Sequence, residues 1–550
     1  MPITPADSTD TPYILPGAQQ TPGSPWTPLK IPVFRLLWGT WATANICMWM
    51  SDVAAAWMMS ALTTTPLWVA LVQTASTLPV FLLGLPSGAL ADILDRRRYF
   101  IVTQFWLAGT AAALCLALLF DLLTPPLLLA LTFANGIGLA MRWPIFAALI
   151  PEIVPRQQLP AALALNAIGM NASRIIGPLV AGALIASAGI AYVFVLNATL
   201  SMIAGFVIMR WRRDFVPSPL GRERLLSAMR VGLQFVRESA PLRGVFLRVS
   251  LFFFHSTALL ALLPLLARRL AGGGAATYTL LLAAMGVGAI MLVLVLPRLR
   301  QRLTSRQMVL AGTVLQSLST MVMAFAPSVY VAVPTMVLAG MAWLCAANSL
   351  SLLAQMLLPN WVRARGMSMF QMAIMGGSAL GAAVWGQVAT MSSLNSSLVA
   401  SALTGSIAML VATLLLKDDM IEEDLTPSRA FNVPVAPTPP SSGHVMVTIE
   451  YLIDPERAAA FLQLMQESRS SRLRQGALNW ELLHDLGEPQ RYLEQIVDES
   501  WTEHLRRFDR TTAADVALRD RKLAFHLGDE PPKITRYAMS PTQRAQAEGS

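Results

Sequence analysis

Apolar positions gather along this chain in twelve runs of about 18 or more residues, the length that crosses a bilayer as a helix. The runs fall near 36–62, 66–91, 99–120, 126–148, 160–188 and 190–210, then near 245–267, 275–297, 307–326, 328–357, 364–391 and 396–416. They predict twelve transmembrane helices, several of them long enough to tilt or to extend beyond the lipid. Between the sixth and seventh runs the pattern changes. Arg222 to Arg237 place Leu225, Leu226, Met229, Leu233 and Val236 at helical spacing, with most Arg and Glu residues opposite. This predicts an amphipathic helix lying on the inner membrane surface. Val231 and Phe235 fall off its apolar stripe.

After the last run the period shortens. Asp418 to Gly443 is acidic and then rich in Pro and Ser, as a linker is. Val445 to Ile453 alternates as a strand. Asp454 and Pro455 form an N-cap followed by a first-turn proline, opening a helix with Ala458, Phe461, Leu462 and Met465 apolar. Strand patterns at Leu478 to His484 and Tyr492 to Val497 follow, then helices at Trp501 to Phe508 and Ala513 to Phe525, and a strand at Lys533 to Tyr537. The order β-α-β-β-α-β is ferredoxin-like. The chain is therefore expected to divide into a disordered leader (1–29), a six-helix half (30–210), a connector (211–243), a second six-helix half (244–417), a linker (418–442), a soluble α+β domain (443–540) and a disordered tail (541–550).

The halves repeat at an offset of 204 residues. Gly84, Pro155, Gly177 and Gly182 recur as Gly288, Pro359, Gly381 and Gly386, and Arg96 and Arg98 recur as Arg300 and Arg302. Duplicated halves suit alternating access, in which two bundles rock around a site between them.

Composition sharpens this. The chain is 55% hydrophobic and 13% charged, against about 25% charged in soluble domains, and its mean hydropathy is +0.53. Residues 443–550 hold 14 Lys/Arg and 17 Asp/Glu, and the rest of the chain 27 and 15. The basic excess sits beside the apolar runs, at Arg96 to Arg98, Arg156, Arg210 to Arg243, Arg298, Arg300, Arg302, Arg306, Arg363 and Arg365. These positions share one side of the membrane, while the other carries little beyond Arg268 and Arg269. The positive-inside rule puts both termini in the cytoplasm of a bacterial inner membrane. Lipids rather than nucleic acid are the expected surroundings. The leader has no basic start and is not a signal peptide. Cys47, Cys115 and Cys345 lie within apolar runs and predict buried thiols. There is no metal-ligand spacing and no phosphate-binding loop, so no metal, cofactor or direct ATP drive is expected.

Several stretches resemble a known family. Gly88-Ala-Leu-Ala-Asp92-Ile-Leu-Asp95-Arg96-Arg97-Arg98 resembles the signature loop of the major facilitator superfamily, G-x-L-x-D-R-x-G-R-R, and departs from it at Ile93 and Asp95. Arg174-Ile-Ile-Gly177-Pro178-Leu-Val-Ala181-Gly182 resembles the exporter-associated helix-5 motif G-P-x-x-G-G, with Ala181 in place of one Gly. Asn135 to Ala140 resembles the tail of the helix-4 pattern, whose membrane Arg is replaced here by Thr132; Arg142 is expected to snorkel. Leu149 to Asn166 and Trp361 to Gly366 resemble the bacterial branch that contains the enterobactin exporter. The likeness runs from about Leu29 to Leu416. It implies the major facilitator fold and a proton-coupled exporter of a small amphipathic molecule, such as a siderophore, drug or metabolite. The C-terminal pattern resembles the dimeric α+β barrel of antibiotic-biosynthesis monooxygenases. That implies homodimerisation or regulation, or else catalysis through Trp480, His484, Trp501 and His504.

Ionisable groups inside spans are costly and mark function. Asp52 in span 1 is the first candidate for proton coupling. Arg174 in span 5 is placed to pair with Asp52 or to hold an anionic group, and His255 in span 7 carries the side chain that titrates near neutral pH. Asp92 has Leu296 as its counterpart in the second half, so topology alone does not explain the acid. It is expected to latch the helix that begins near Val362, held by Arg96 or Arg97 beyond Gly88. Two other readings remain: a membrane-tethered enzyme acting through the tail, and a non-transporting sensor or scaffold.

Overall fold

The computed structural model describes residues 26–93, 95–210, 225–270, 273–359, 361–416, 424–428, 430–431, 434 and 443–539. Most of the leader, linker and tail therefore lies outside the described residues. Thr27–Lys30 forms a 3-10 turn with Pro28 buried.

Each expected span is a helix: α1 Pro32–Leu62, α2 Pro66–Ile93, α3 Arg96–Leu119, α4 Pro125–Ile153, α5 Leu159–Ser187 and α6 Ala191–Arg210. After α7 (Leu225–Glu238) come α8 Ala240–Arg269, α9 Ala275–Arg302, α10 Ser305–Ala324, α11 Val329–Met356, α12 Arg363–Met391 and α13 Leu394–Leu415. Among the described residues, ten of the twelve long helices carry a stretch long and apolar enough to cross a membrane. The other two are α1 and α4, which carry Asn45, Ser51 and Asp52, and Asn135 and Arg142. The helices start where local chemistry predicts. Pro32, Pro66 and Pro125 stand at first-turn positions. Asp95, one of the departures from the signature loop, caps α3 by accepting from Arg97 N at 2.8 Å. Thr304 and Gln307 form a capping box on α10.

The repeat read from glycines is a repeat of close contacts. A Cβ on Gly177 would fall 2.5 Å from Trp49 Cβ of α1, and one on Gly381 would fall 2.1 Å from the Phe254 carbonyl of α8. Gly182 faces Thr279 of α9 and Gly386 faces Ala70 of α2, each too close for a side chain. The first pair seats helix 5 of each half against that half's first helix. The second pair joins the halves, along α5–α9 and α2–α12. At the end bearing the α2–α3 turn, arginines satisfy exposed carbonyls at helix C-termini. Arg97 donates to Met209 O of α6, and Arg306 to Thr413 O of α13.

Two expectations need correction. Arg142 does not snorkel. It is 1% exposed, its guanidinium lies 5.1 Å from the Trp41 ring centroid, and Nη1 donates to Ala44 O at 3.1 Å. The buried face of the connector helix is not the stripe read from sequence. In α7 the off-stripe residues Val231 and Phe235 are buried, and Leu233 is exposed. Phe235 meets Trp361 edge-on at 5.8 Å, and Val231 lies against Gly476 of the C-terminal domain. The helix is wedged between the bundle and the tail domain, so its buried face is turned from the one a flat membrane selects. Residues 222–224 lie outside the described residues.

The C-terminal domain runs β1 Val445–Leu452, α14 Ala458–Arg474, β2 Asn479–His484, β3 Arg491–Asp498, α15 Trp501–Asp509, α16 Ala513–Leu523 and β4 Lys533–Ala538. Its sheet order is β2-β3-β1-β4, antiparallel throughout, which is the ferredoxin-like arrangement. Asp454 caps the turn into α14, accepting from Glu456 N at 3.0 Å. Part of the linker is ordered against this domain, with Ser428 N donating to Thr511 O at 3.0 Å. The domain is held to α7 by Gln234 Nε2, 2.8 Å from Ala477 O, and by Arg230 with Glu499 at 2.9 Å. Arg510 also lies over the Trp361 ring at 5.3 Å.

Candidate functional site: a cavity at the seam of the two halves

A cavity of about 110 Å³ lies between the halves. Trp49, Asp52 and Val53 of α1, Val72, Gln73 and Ser76 of α2 and Arg174 and Pro178 of α5 line one side. Tyr278, Leu282 and Met285 of α9 and Trp343 of α11 line the other. Pocket volumes for drug-sized ligands run about 300–1,000 Å³, so this cavity is smaller than a drug-sized ligand needs.

Two charged residues expected from the sequence meet here without touching. Asp52 Oδ1 accepts from Ser76 Oγ at 3.0 Å. Arg174 sits over the ring of Trp343 at 4.5 Å and near that of Trp49 at 5.4 Å, and its Nε has no hydrogen-bond partner. No ion pair joins Arg174 to Asp52 among the described residues, so the expected structural pairing is not formed. Trp49 comes from the first half and Trp343 from the second, so the guanidinium is shared across the seam.

His255 is not a lining residue. Its Nδ1 is 2.8 Å from Leu251 O, and its ring packs against Phe254, Trp385 and Gly405 inside the second half. Of the helix-5 motif, Pro178 lines the cavity and Gly177 and Gly182 make the close contacts already described. The backbone is helical at Gly88, Asp92 and Arg96, but the side chains of Asp92 and Arg96, and with them the latch expected there, lie outside the described residues. Arg97 is occupied by Met209 O.

Sequence reasoning missed the closure at the other end of the cavity. Trp57 stacks on Tyr278 with centroids 5.8 Å apart, Arg268 lies 4.3 Å over Trp57, and Arg268 Nε donates to Ser60 Oγ at 2.9 Å. The available signal was a basic residue isolated on the sparsely charged side, next to a helix end.

In the C-terminal domain the nominated residues are built into its framework. Trp480 Nε1 donates to Glu494 at 2.9 Å, His484 stacks on Tyr492, Trp501 packs on His504, and His504 Nδ1 is 2.8 Å from Asp498 Oδ2. Glu494 is fully buried and also accepts from Tyr451 and Ser468 beside Lys522 and Arg472. Burial opposes its charge, yet Lys522, Arg472 and these donors together hold the carboxyl well below the usual range. No group of three potential metal ligands occurs among the described residues.

Residues 23–545 match the family model described as transmembrane secretion effector. The chain belongs to that family of major facilitator transporters. The match runs through the C-terminal sheet domain as well as the helices. Among relatives, this transporter is 22% identical over 252 residues to the staphyloferrin A transporter of Staphylococcus aureus, covering 46% of this chain and 63% of that one. It is 24% identical over 241 residues to macrolide efflux protein A of Streptococcus pyogenes, covering 42% and 58%. The chain thus spans less than two thirds of the length of these relatives. A bacterial homolog of the lysosomal transporter Spinster superposes with a TM-score of 0.55 at 15% identity, over 70% of this chain and 96% of that one. A POT family transporter gives 0.56 at 12%, over 69% and 96%. At these identities the likeness establishes the fold.

Proposed function

We propose that this transporter is a proton-driven exporter of a small amphipathic molecule, working by alternating access around the seam cavity. The observation that carries the reading is Asp52, a carboxyl set in an apolar, aromatic cavity at the meeting line of two repeated halves, engaged by one serine and, among the described residues, no cation. Such a group changes the cavity's charge when it takes up a proton, and a charge change at the seam shifts the balance between two packings of the halves. The small volume supports a cycle in which the site must widen to admit cargo. Arg97 and Arg306 at helix ends beside the α2–α3 turn, with the positive-inside rule, support a cytoplasmic location for that end and both termini, and a bacterial inner membrane for the whole. The efflux and siderophore relatives support outward movement of an amphipathic cargo. In this reading Asp92 with Arg96 or Arg97 forms the cytoplasmic latch, and the C-terminal domain acts in regulation or pairing of two copies, as its monooxygenase-like pattern suggests.

The experiment is flux in proteoliposomes under an imposed pH gradient, screened over anionic, cationic and neutral amphipaths. The reading expects gradient-driven movement of at least one class. An absence of flux for every class at every gradient would favour a sensor or scaffold.

A further inference from the structure

We propose that Arg174 is a receptor for an oxyanion on the transported molecule. The cavity then takes a small amphipathic organic acid, with its carboxylate on Arg174 and its apolar body among Trp49, Trp343 and Tyr278. This rests on the transport reading above and adds the chemical class of the ligand.

Arg174 faces aromatic rings and no acceptor among the described residues. The rings of Trp343 and Trp49, at 4.5 and 5.4 Å, offer π-faces to its charge. Rings supply no nitrogen or oxygen acceptor to the five N–H donors of a guanidinium. Among the described residues no hydrogen-bond acceptor meets this group, and Nε is buried without a partner. The carboxylate in the same cavity, Asp52, is turned to Ser76 instead. A half-buried guanidinium inside a span, with no counter-charge among the described residues, is costly to keep. Arg142 differs in its place: it is buried outside the cavity, where Nη1 donates to the Ala44 carbonyl and Nε and Nη2 are also unmet, whereas Arg174 presents its unmet donors to a space a ligand enters. The fork of N–H groups matches the two oxygens of a carboxylate, and the flanking tryptophans limit its motion before the ligand arrives, which reduces the ordering needed on binding. Because Trp343 belongs to the second half, an anion on Arg174 sits where the two halves meet.

The test uses the full-length protein in lipid nanodiscs and three probes small enough for this cavity: benzoate, its neutral isostere benzamide, and the cation benzylamine. Binding is followed by calorimetry. Benzoate is expected to bind about tenfold or more tighter than benzamide, the scale of a hydrogen-bonded charge contact. Arg174→Gln should abolish that preference, while Arg174→Lys retains part of it. The wild-type comparison needs no variant and stands even if Arg174→Gln fails to fold. Equal affinity for benzoate and benzamide, a preference for benzylamine, or no benzoate binding would overturn the assignment. Flux of the same probes in proteoliposomes is a separate arm. Benzoate that binds through Arg174 and is not carried contradicts transport of the acid and leaves the anion site standing. A carried amine with benzoate unbound overturns the anion site and leaves transport standing.

Discussion

Arg268 at the end of α8 donates from Nε to Ser60 Oγ at the end of α1, 2.9 Å away, and so ties the two halves together at one end of the cavity. Beneath this bond Trp57 carries the guanidinium at 4.3 Å and stacks on Tyr278, a cavity-lining residue. The closure is therefore a layered contact between helices that alternating access must separate.

Replacing Arg268 by Ala removes one charged hydrogen bond and one cation–π contact, together about 1.5–3 kcal/mol. The population with this end open should rise about tenfold or more. The check is labelling of a cysteine at the cavity-lining Leu282 by a membrane-impermeant maleimide, with Leu282→Cys alone as reference. Unchanged labelling when Arg268→Ala is added would show that the contact is incidental.

Gly182 meets Thr279 so closely that an added Cβ would lie 2.1 Å from Oγ1. Gly182→Val should therefore disfavour this packing of α5 on α9 by about 1–3 kcal/mol and lower flux. Thr279→Gly, added to Gly182→Ala, should restore much of the loss seen in Gly182→Ala alone. A double mutant no better than the sum of its parts would contradict the contact.

Glu494 supplies the acid sensitivity of the C-terminal domain. Its carboxyl is held well below the usual value, and Asp498 is also lowered: burial opposes its charge, but Arg507 and His504 outweigh it. Groups depressed in this way stabilise the fold above their ordinary range and lose that contribution as pH falls through their folded values. Lys522 has the opposite sign. Burial brings it down to about 8 from 10.5, so its cost is present below pH 8 and relieved as pH rises from there. Hydrogen exchange in β1 and β3 of the full-length protein should accelerate as pH is lowered below about 4, after correction for the intrinsic rate. Glu494→Gln should destabilise the domain by about 3–5 kcal/mol at neutral pH and flatten the acid limb. An unaltered acid limb in Glu494→Gln would place the sensitivity elsewhere.

Val231, buried against Gly476, fastens the tail domain to α7. Val231→Glu places a carboxylate in that contact at a cost on the order of 3 kcal/mol. Exchange protection of α7 and of the segment around Ala477 should fall together, while the strands of the sheet stay protected. Loss of protection across the whole domain would mean that the residue supports its fold rather than its docking.

The helices were legible because lipid allows few alternatives: a run of apolar residues must become a helix that satisfies its own backbone. The ferredoxin-like order was legible because strand alternation, the Asp454 cap and Pro455 all agree locally. The seam was legible in part. Glycines repeating at 204 residues encode close approaches, and Asp52, Arg174 and Pro178 stood out by their chemistry. Trp49, Trp343, Trp57 and Tyr278 did not, because aromatic residues face lipid and core alike and only packing sorts them. His255 looked like Asp52 in sequence and differs only in the direction it faces. The buried side of α7 was misread because the helix packs on protein at both flanks, so Val231 and Phe235 are fixed by partners far away in the chain. Ser60 and Arg268 are 208 residues apart, and nothing local in either pairs them.

The central claim is that protonation of Asp52 couples the gradient to movement of the halves, and comparing two fluxes of one carried substrate tests it most directly. In proteoliposomes, Asp52→Asn should lose accumulation driven by a pH gradient, by about tenfold or more, and lose its pH dependence. It should keep substrate-for-substrate exchange, because exchange needs the moving halves but no net proton. Gradient-driven accumulation in Asp52→Asn equal to wild type, with the same pH profile, would contradict the account.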